Sequence, residues 1–198
     1  MKKTTLLDEL INAFKYLPGV GEKTAQRMAY YTLERARDGG KNLAMLLSQA
    51  TDSIGYCKVC RNLTEKDLCY VCSDKARDVD QVCVVETPAD IIAIESSTSY
   101  KGRYYVLMGR LSPLDGIGPK EIGLDFLEEQ FKKGTIKEVI LATNSTTEGE
   151  VTAHVIRELT KKYKIQTTRL AQGVPVGGEL EYVDSSTCLY NTSDAADE

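Results

Sequence analysis

The sequence predicts an α/β protein preceded by a helical region, on three observations. From residue 80 onward, short β-rich apolar runs alternate with helical stretches, at the spacing that a mostly parallel sheet with helices on its faces requires. Over the first fifty residues apolar positions instead recur every three or four residues. Between these regions stand two Cys-x-x-Cys pairs. A chain of 198 residues, 42% hydrophobic and 27% charged, is long enough for two compact units and too apolar for wholesale disorder.

The N-terminal region reads as helices. Leu7, Leu10, Ile11, Phe14 and Leu17 form one apolar stripe, and Leu43, Leu46, Leu47, Ala50 and Ile54 form another. A helix between them starts near Glu22, with Ala25, Met28, Ala29 and Leu33 on one face. Pro18-Gly19-Val20-Gly21 separates it from the first, because proline lacks an amide donor and glycine admits backbone angles that other residues avoid. The run from Leu17 to Ala25 therefore has the form of a helix-hairpin-helix. In that motif the turn amides and the following helix N-terminus face a phosphate oxygen, since those donors lack an intrahelical partner and the dipole favours an anion. Lys23 and Arg27 are four apart and share one face of the second helix. With Gly19 and Gly21 they are the candidate DNA contacts. A plain αα-corner with a solvated cationic face is the alternative.

Charge is uneven along the chain. Residues 1–50 carry eight Lys and Arg against five Asp and Glu, residues 51–80 five against six, and residues 81–198 twelve against eighteen. The net charge of −4 excludes a generally basic coat, and the positive end is the N-terminus.

Cys57-Lys58-Val59-Cys60 and Cys69-Tyr70-Val71-Cys72 are separated by eight residues. Each pair turns two thiolates to one side of a tight knuckle, and two knuckles supply the four soft ligands that tetrahedral zinc prefers. The expectation is one structural Zn2+ per chain, with no coordination position left open. A disulfide pair, a redox site or an iron-sulfur cluster can use the same residues. Cys83 falls in a strand pattern and is expected in the core.

In the α/β region the expected strands cover 82–85, 104–107, 139–142 and 166–170, and the helices 88–95, 119–131 and 149–163. Glu86 ends the first strand, and Asn144-Ser145-Thr146-Thr147-Glu148-Gly149-Glu150 follows the third. Sites in such sheets lie at strand carboxyl ends. This arrangement resembles a Toprim domain, in which a glutamate after one strand and an Asp-x-Asp after a later one hold magnesium. Asn144 and Thr146 stand at the two aspartate positions, so the resemblance implies a degraded acidic site made of Glu86, Asn144, Thr146 and Glu148. Magnesium held without those carboxylates is weak. Glu148 and Glu150 also read as acids favoured by a helix N-terminus, and the lone His154 as a surface or packing residue.

Taken in order, Leu17-Pro18-Gly19-Val20-Gly21, the four cysteines, Cys72-Ser73-Asp74, Val84-Val85-Glu86, the run Leu111-Ser112-Pro113-Leu114-Asp115-Gly116-Ile117-Gly118-Pro119, Ile140-Leu141-Ala142-Thr143-Asn144 and Pro175-Val176-Gly177-Gly178-Glu179-Leu180-Glu181-Tyr182 resemble the bacterial RecR family of recombination mediators. The resemblance covers roughly residues 10–187. It implies a helix-hairpin-helix region over 1–55, a four-cysteine zinc finger over 56–73, a Toprim domain over 80–175 and a C-terminal segment over 176–198. It implies ring-like homo-oligomers around or upon DNA. It also implies partnership with RecO and RecF in loading RecA recombinase onto single strands at gaps and breaks. The family's hairpin cations carry over to Lys23 and Arg27, its zinc ligands to Cys57, Cys60, Cys69 and Cys72, and no catalytic residue carries over. The chain departs from the family at Tyr105, where histidine is usual, at Ser145, where proline is common, and over 188–198, which is polar and acidic instead of a basic helix.

The sequence thus predicts a non-enzymatic DNA-repair mediator, binding single- or double-stranded DNA without sequence preference. A magnesium-dependent Toprim nuclease or primase-like enzyme is the rival, and a protein-interaction module without DNA contact is the third possibility. No apolar run approaches the ~18 residues of a spanning helix, and Asp8 and Glu9 interrupt the short apolar pair after Lys3, so no membrane partner is expected. The expected location is cytoplasmic, associated with the nucleoid during repair.

Overall fold

The computed structural model describes residues 4–170, and the chain divides into two compact units between Ile54 and Gly55. The expectations placed on the loop at Gly173, Gly177 and Gly178, on Cys188 and on the acidic end lie outside the described residues.

The first unit is helical. α1 (Leu6–Phe14) starts at a capping box: the Thr5 hydroxyl accepts from the Asp8 amide at 3.2 Å, and the Asp8 carboxylate accepts from the Thr5 amide at 2.9 Å. Ile11 is buried against Ala25 and Ala29 of α2 (Glu22–Arg35), with Leu7, Leu10, Phe14 and Val20 around them. The two alanines let the helices approach closely. α1 ends three residues before Leu17, short of the expected stripe. Turn bonds take over there, Tyr16 N to Ala13 O at 3.1 Å and Leu17 N to Phe14 O at 3.2 Å, so Leu17 belongs to the hairpin and is exposed. α3 (Arg37–Ser53) has no buried residue, and Leu43, Met45, Leu46 and Leu47 lie exposed along it.

The second unit opens with the cysteine segment. Two short antiparallel strands, β1 (Gly55–Tyr56) and β2 (Leu63–Thr64), carry the first knuckle, and α4 (Tyr70–Ser73) carries the second. A parallel sheet follows, in spatial order β4-β3-β5-β6, from β3 (Gln81–Val85), β4 (Arg103–Val106), β5 (Glu138–Ala142) and β6 (Gln166–Arg169). β3 is central and buried on both faces, which is why it reads as an unbroken apolar run.

The pleat sends alternate residues to two different cores. Val82, Val84, Tyr105, Val139 and Leu141 pack against α6 (Leu124–Lys132) and α7 (Thr147–Lys162), chiefly through Leu127, Phe131, Ala153 and Ile156. Cys83, Val85, Tyr104, Val106 and Ala142 face the other way, onto Ile91 of α5 (Pro88–Ser97) and onto Val71 with the four cysteines. The cysteine segment therefore covers sheet that a helix would otherwise cover, and Val106 N donates to Cys60 O at 2.8 Å. α6 starts five residues later than the expected 119. Gly123 sits at φ +74 and breaks the helical path, leaving 119–123 as a turn closed by Leu124 N to Pro119 O at 2.9 Å. α7 starts two residues before the expected 149.

Candidate nucleic-acid interface and metal centre

The hairpin places its functional groups in the open. Gly19, Gly21, Lys23 and Arg27 are all exposed, and neither cation makes an ion pair or hydrogen bond among the described residues. Lys15 is paired with Glu22 at 2.8 Å, which takes up the one acid of the first turn of α2. The amides of Glu22, Lys23 and Thr24 occupy that first turn, where a helix offers them no carbonyl of its own. Gly19 needs glycine for its φ of +77. Gly21 does not: its φ of −83 suits any residue, and among the described residues nothing beyond its chain neighbours lies within 4 Å of where a Cβ would stand. What glycine leaves at Gly21 is clearance for a group from outside.

The four cysteines converge. Their sulfurs all lie within 4.8 Å of one another, with Cys60 and Cys69 at 3.4 Å, and each residue is at most 6% exposed. The Cys69 amide donates to the Cys57 sulfur at 3.4 Å. Hydrogen bonding with Cys69 and then with Cys72, followed by burial, pushes the Cys60 thiol well above its ordinary range. Four buried thiolates cannot share this volume without a cation, and a tetrahedral dication supplies one. The donor set, its closeness and its burial fit one structural Zn2+, held by Cys57, Cys60, Cys69 and Cys72. No disulfide joins cysteines among the described residues. Cys83 lies apart in the core, its thiol pushed up to about 12 by burial.

The third group sits at the carboxyl edge of the sheet. β4 and β5 flank β3 on opposite sides, so the crevice between the ends of β3 and β5 is the topological switch point where such sheets hold ligands. Glu86 is there, 3% exposed, and both its oxygens are engaged by one residue: Asn144 N donates to Oε1 at 2.9 Å and Asn144 Nδ2 to Oε2 at 2.7 Å. Thr146 is the N-cap of α7, its hydroxyl accepting from Gly149 N at 3.2 Å. Gly149 leaves no room for a side chain, since a Cβ would stand 2.1 Å from Asn144 O. Glu148 lies half-buried in the first turn of α7, and Glu150 forms a two-pronged ion pair with Arg169 of β6. The structure thus joins Glu86 to Asn144 and gives Thr146 and Glu150 structural partners. His154 is exposed on α7.

Four family models match in chain order: the RecR helix-hairpin-helix over residues 7–51, the RecR four-cysteine zinc finger domain over 54–74, the Toprim domain over 80–171 and the RecR C-terminal segment over 173–187. Curated proteins named Recombination protein RecR are similar over nearly their whole length. Those of Xanthomonas axonopodis pv. citri and Xylella fastidiosa are each 55% identical over 93% of this chain and 93% of their own. That of Hydrogenovibrio crunogenus is 52% identical over 93% and 94%. The chain belongs to the RecR family. Membership gives it a place in recombination repair and agrees with the zinc assignment. No helix among the described residues is long and apolar enough to cross a membrane.

Two residues of this RecR-family chain carry no sequence signal for the places they hold. Arg169 and Arg61 are single cations outside any motif. Arg61, immediately after Cys60 and at φ +63, reaches from the knuckle to the carbonyls of Leu107 and Ile122. Only the tertiary fold assigns these roles.

Proposed function

We propose that this RecR-family chain is a non-catalytic mediator that holds DNA by its phosphates through the hairpin. In this proposal Lys23, Arg27 and the amides at Gly19 and Gly21 contact phosphate oxygens, giving affinity without sequence preference. The observation that carries it is the open hairpin: two exposed cations without partners among the described residues, beside unpaired helix-start amides and a glycine whose missing side chain serves no internal need. In the family's scheme the chain acts with RecO and RecF to load RecA onto single strands, as a ring-like homo-oligomer near the nucleoid. The exposed apolar row along α3 supports self-association.

The non-catalytic part rests on the carboxyl edge. A Toprim metal would need the oxygens of Glu86, each of which already accepts a hydrogen bond from Asn144, while the second carboxylates that such a metal requires are replaced by Asn144 and Thr146. Of the two other acids in the first turn of α7, Glu150 is committed to Arg169. The test is incubation of labelled single- and double-stranded DNA with the protein in Mg2+ or Mn2+. The proposal expects bound, intact strands. Cleaved or extended product that disappears in Glu86→Gln would establish the enzyme reading instead.

A further inference from the structure

The hairpin cations stand in a longer stripe along α2. Arg27 lies four residues after Lys23, and Tyr30 and Tyr31 lie three and four after Arg27, so all four share one face of the helix. Ala25 and Ala29, the buried residues of α2, are on the opposite side. Tyr30 is 46% exposed and Tyr31 61%. Among the described residues neither ring packs on another aromatic ring, and neither hydroxyl has a hydrogen-bond partner. Tyr100, Tyr104, Tyr105 and Tyr163 of the second unit behave differently, each donating its hydroxyl to a protein oxygen. Nothing in the helix itself asks for an aromatic pair at 30 and 31, since tyrosine is a poorer helix former than alanine or lysine.

Two cations without partners followed by two bare rings have the make-up of a single-strand site, in which cations track phosphates and rings take the flat faces of unpaired bases. The exposed row on α3, Leu43, Met45, Leu46 and Leu47, is aliphatic, the composition that suits another protein surface, whereas no aliphatic side chain stands among the four residues of the α2 stripe. Glu34, four residues after Tyr30 and exposed, ends the stripe, because a carboxylate repels phosphate. The stripe starts at the open amides of the first turn and runs roughly 12 Å along the helix axis. A strand held by one phosphate at the hairpin therefore passes the rings with its next nucleotides. In a duplex each base is already stacked on its neighbours, and the rings have no free base to take.

We propose that Tyr30 and Tyr31 form a base-stacking platform, by which α2 takes unpaired bases of single-stranded DNA in continuation of the hairpin. The proposal rests on the reading that Lys23 and Arg27 hold phosphate, and it assigns a preference for single strands to residues outside the hairpin motif. The cations serve both forms of DNA, and the rings serve single strands alone. Tyrosine neutralises no phosphate, so removing the rings weakens single-strand binding without changing its salt dependence.

The test is fluorescence anisotropy of the full-length protein on three probes of equal length: a single strand, its duplex, and an abasic single strand that keeps the phosphates without the bases. Tyr30→Ala/Tyr31→Ala is expected to bind the single strand at least about fivefold more weakly than the wild type, the lower end for one stacked base. It should bind the duplex and the abasic strand as the wild type does, with an unchanged salt slope. Tyr30→Phe/Tyr31→Phe keeps the rings and should bind like the wild type on all three. Alanine favours the helix, so circular dichroism and sedimentation mass should not change. Unchanged single-strand affinity in the alanine variant overturns the platform, as does an equal loss on the duplex or the abasic strand, or the same loss in the phenylalanine variant. A fall in sedimentation mass makes the rings a contact between copies and also overturns it. The hairpin reading fails separately, if Lys23→Ala/Arg27→Ala binds every probe as the wild type does.

Discussion

The hairpin and the carboxyl edge of the sheet both look, by residue type, like places where phosphate chemistry is handled, yet the structure treats their charges in opposite ways. At the hairpin Lys23 and Arg27 are exposed and without partners among the described residues. At the sheet edge Glu86 is buried and doubly hydrogen-bonded by Asn144, and Glu150 is clasped by Arg169. A site for a ligand from outside leaves its charge uncompensated, because buried charges are satisfied internally wherever a partner exists. By that criterion one region is open for binding and the other is closed.

The largest effect expected bears on the metal centre, which supports one face of the sheet. Structural zinc contributes on the order of 10 kcal/mol in small finger domains, as much as the whole stability of a typical domain. Cys60→Ser is therefore expected to lose its zinc and to unfold the second unit, whose sheet face the knuckles cover. Metal analysis and calorimetry check this, and the helical signal of the first unit should persist after the second has melted.

The closed region can be broken open by one atom. Asn144→Asp replaces the amide donor with a carboxylate facing buried Glu86, which costs about 1–3 kcal/mol for the lost bond alone. Two adjacent carboxylates share a proton, so the folded pair titrates above the ordinary carboxylate range. The variant should gain stability as pH falls through that raised value, and Mn2+ should raise its melting temperature while leaving the wild type unchanged. Gly149→Ala probes the same corner sterically, with a melting-temperature loss equivalent to roughly 1–3 kcal/mol, because its Cβ would meet the Asn144 backbone.

The smallest effect concerns the ion pair of Arg77 and Glu95, which belongs to neither region. The Arg77 hydrogen bond, ahead of that from Tyr104, holds the Glu95 carboxyl below its ordinary range. The stabilisation this gives is present above the ordinary carboxylate value and is lost as pH falls through the lower folded-state value. Glu95→Gln should flatten that acid limb by up to about 1 kcal/mol, read from urea midpoints at several pH values.

Much of this was legible in the sequence, for identifiable reasons. β3 and β5 are apolar on both faces, so their strands announce themselves, and the four cysteines announce their centre by spacing. Periodicity misled at Leu17, because a turn can continue an apolar spacing after the helix has ended. It misled at 119–123 because glycine at φ +74 stops a helix that the apolar pattern permits. At the acidic site the sequence presents Asn144 and Thr146 as missing ligands. Only the fold reveals that one satisfies Glu86, 58 residues away along the chain, and that the other caps α7. Arg61 is legible in no pattern, because its partners lie 46 and 61 residues away.

The most direct measurement is fluorescence anisotropy of single- and double-stranded DNA across a salt series, with wild-type protein and with Lys23→Ala/Arg27→Ala. Each lost phosphate contact lowers the slope of log K against log salt by about 0.7 on single strands and about 0.9 on duplex. A hairpin contact predicts salt-sensitive binding by the wild type and, in the double variant, weaker binding with a slope reduced by about twice those amounts. Equal affinity and equal slope in the two proteins would contradict it and move the DNA contact away from the hairpin.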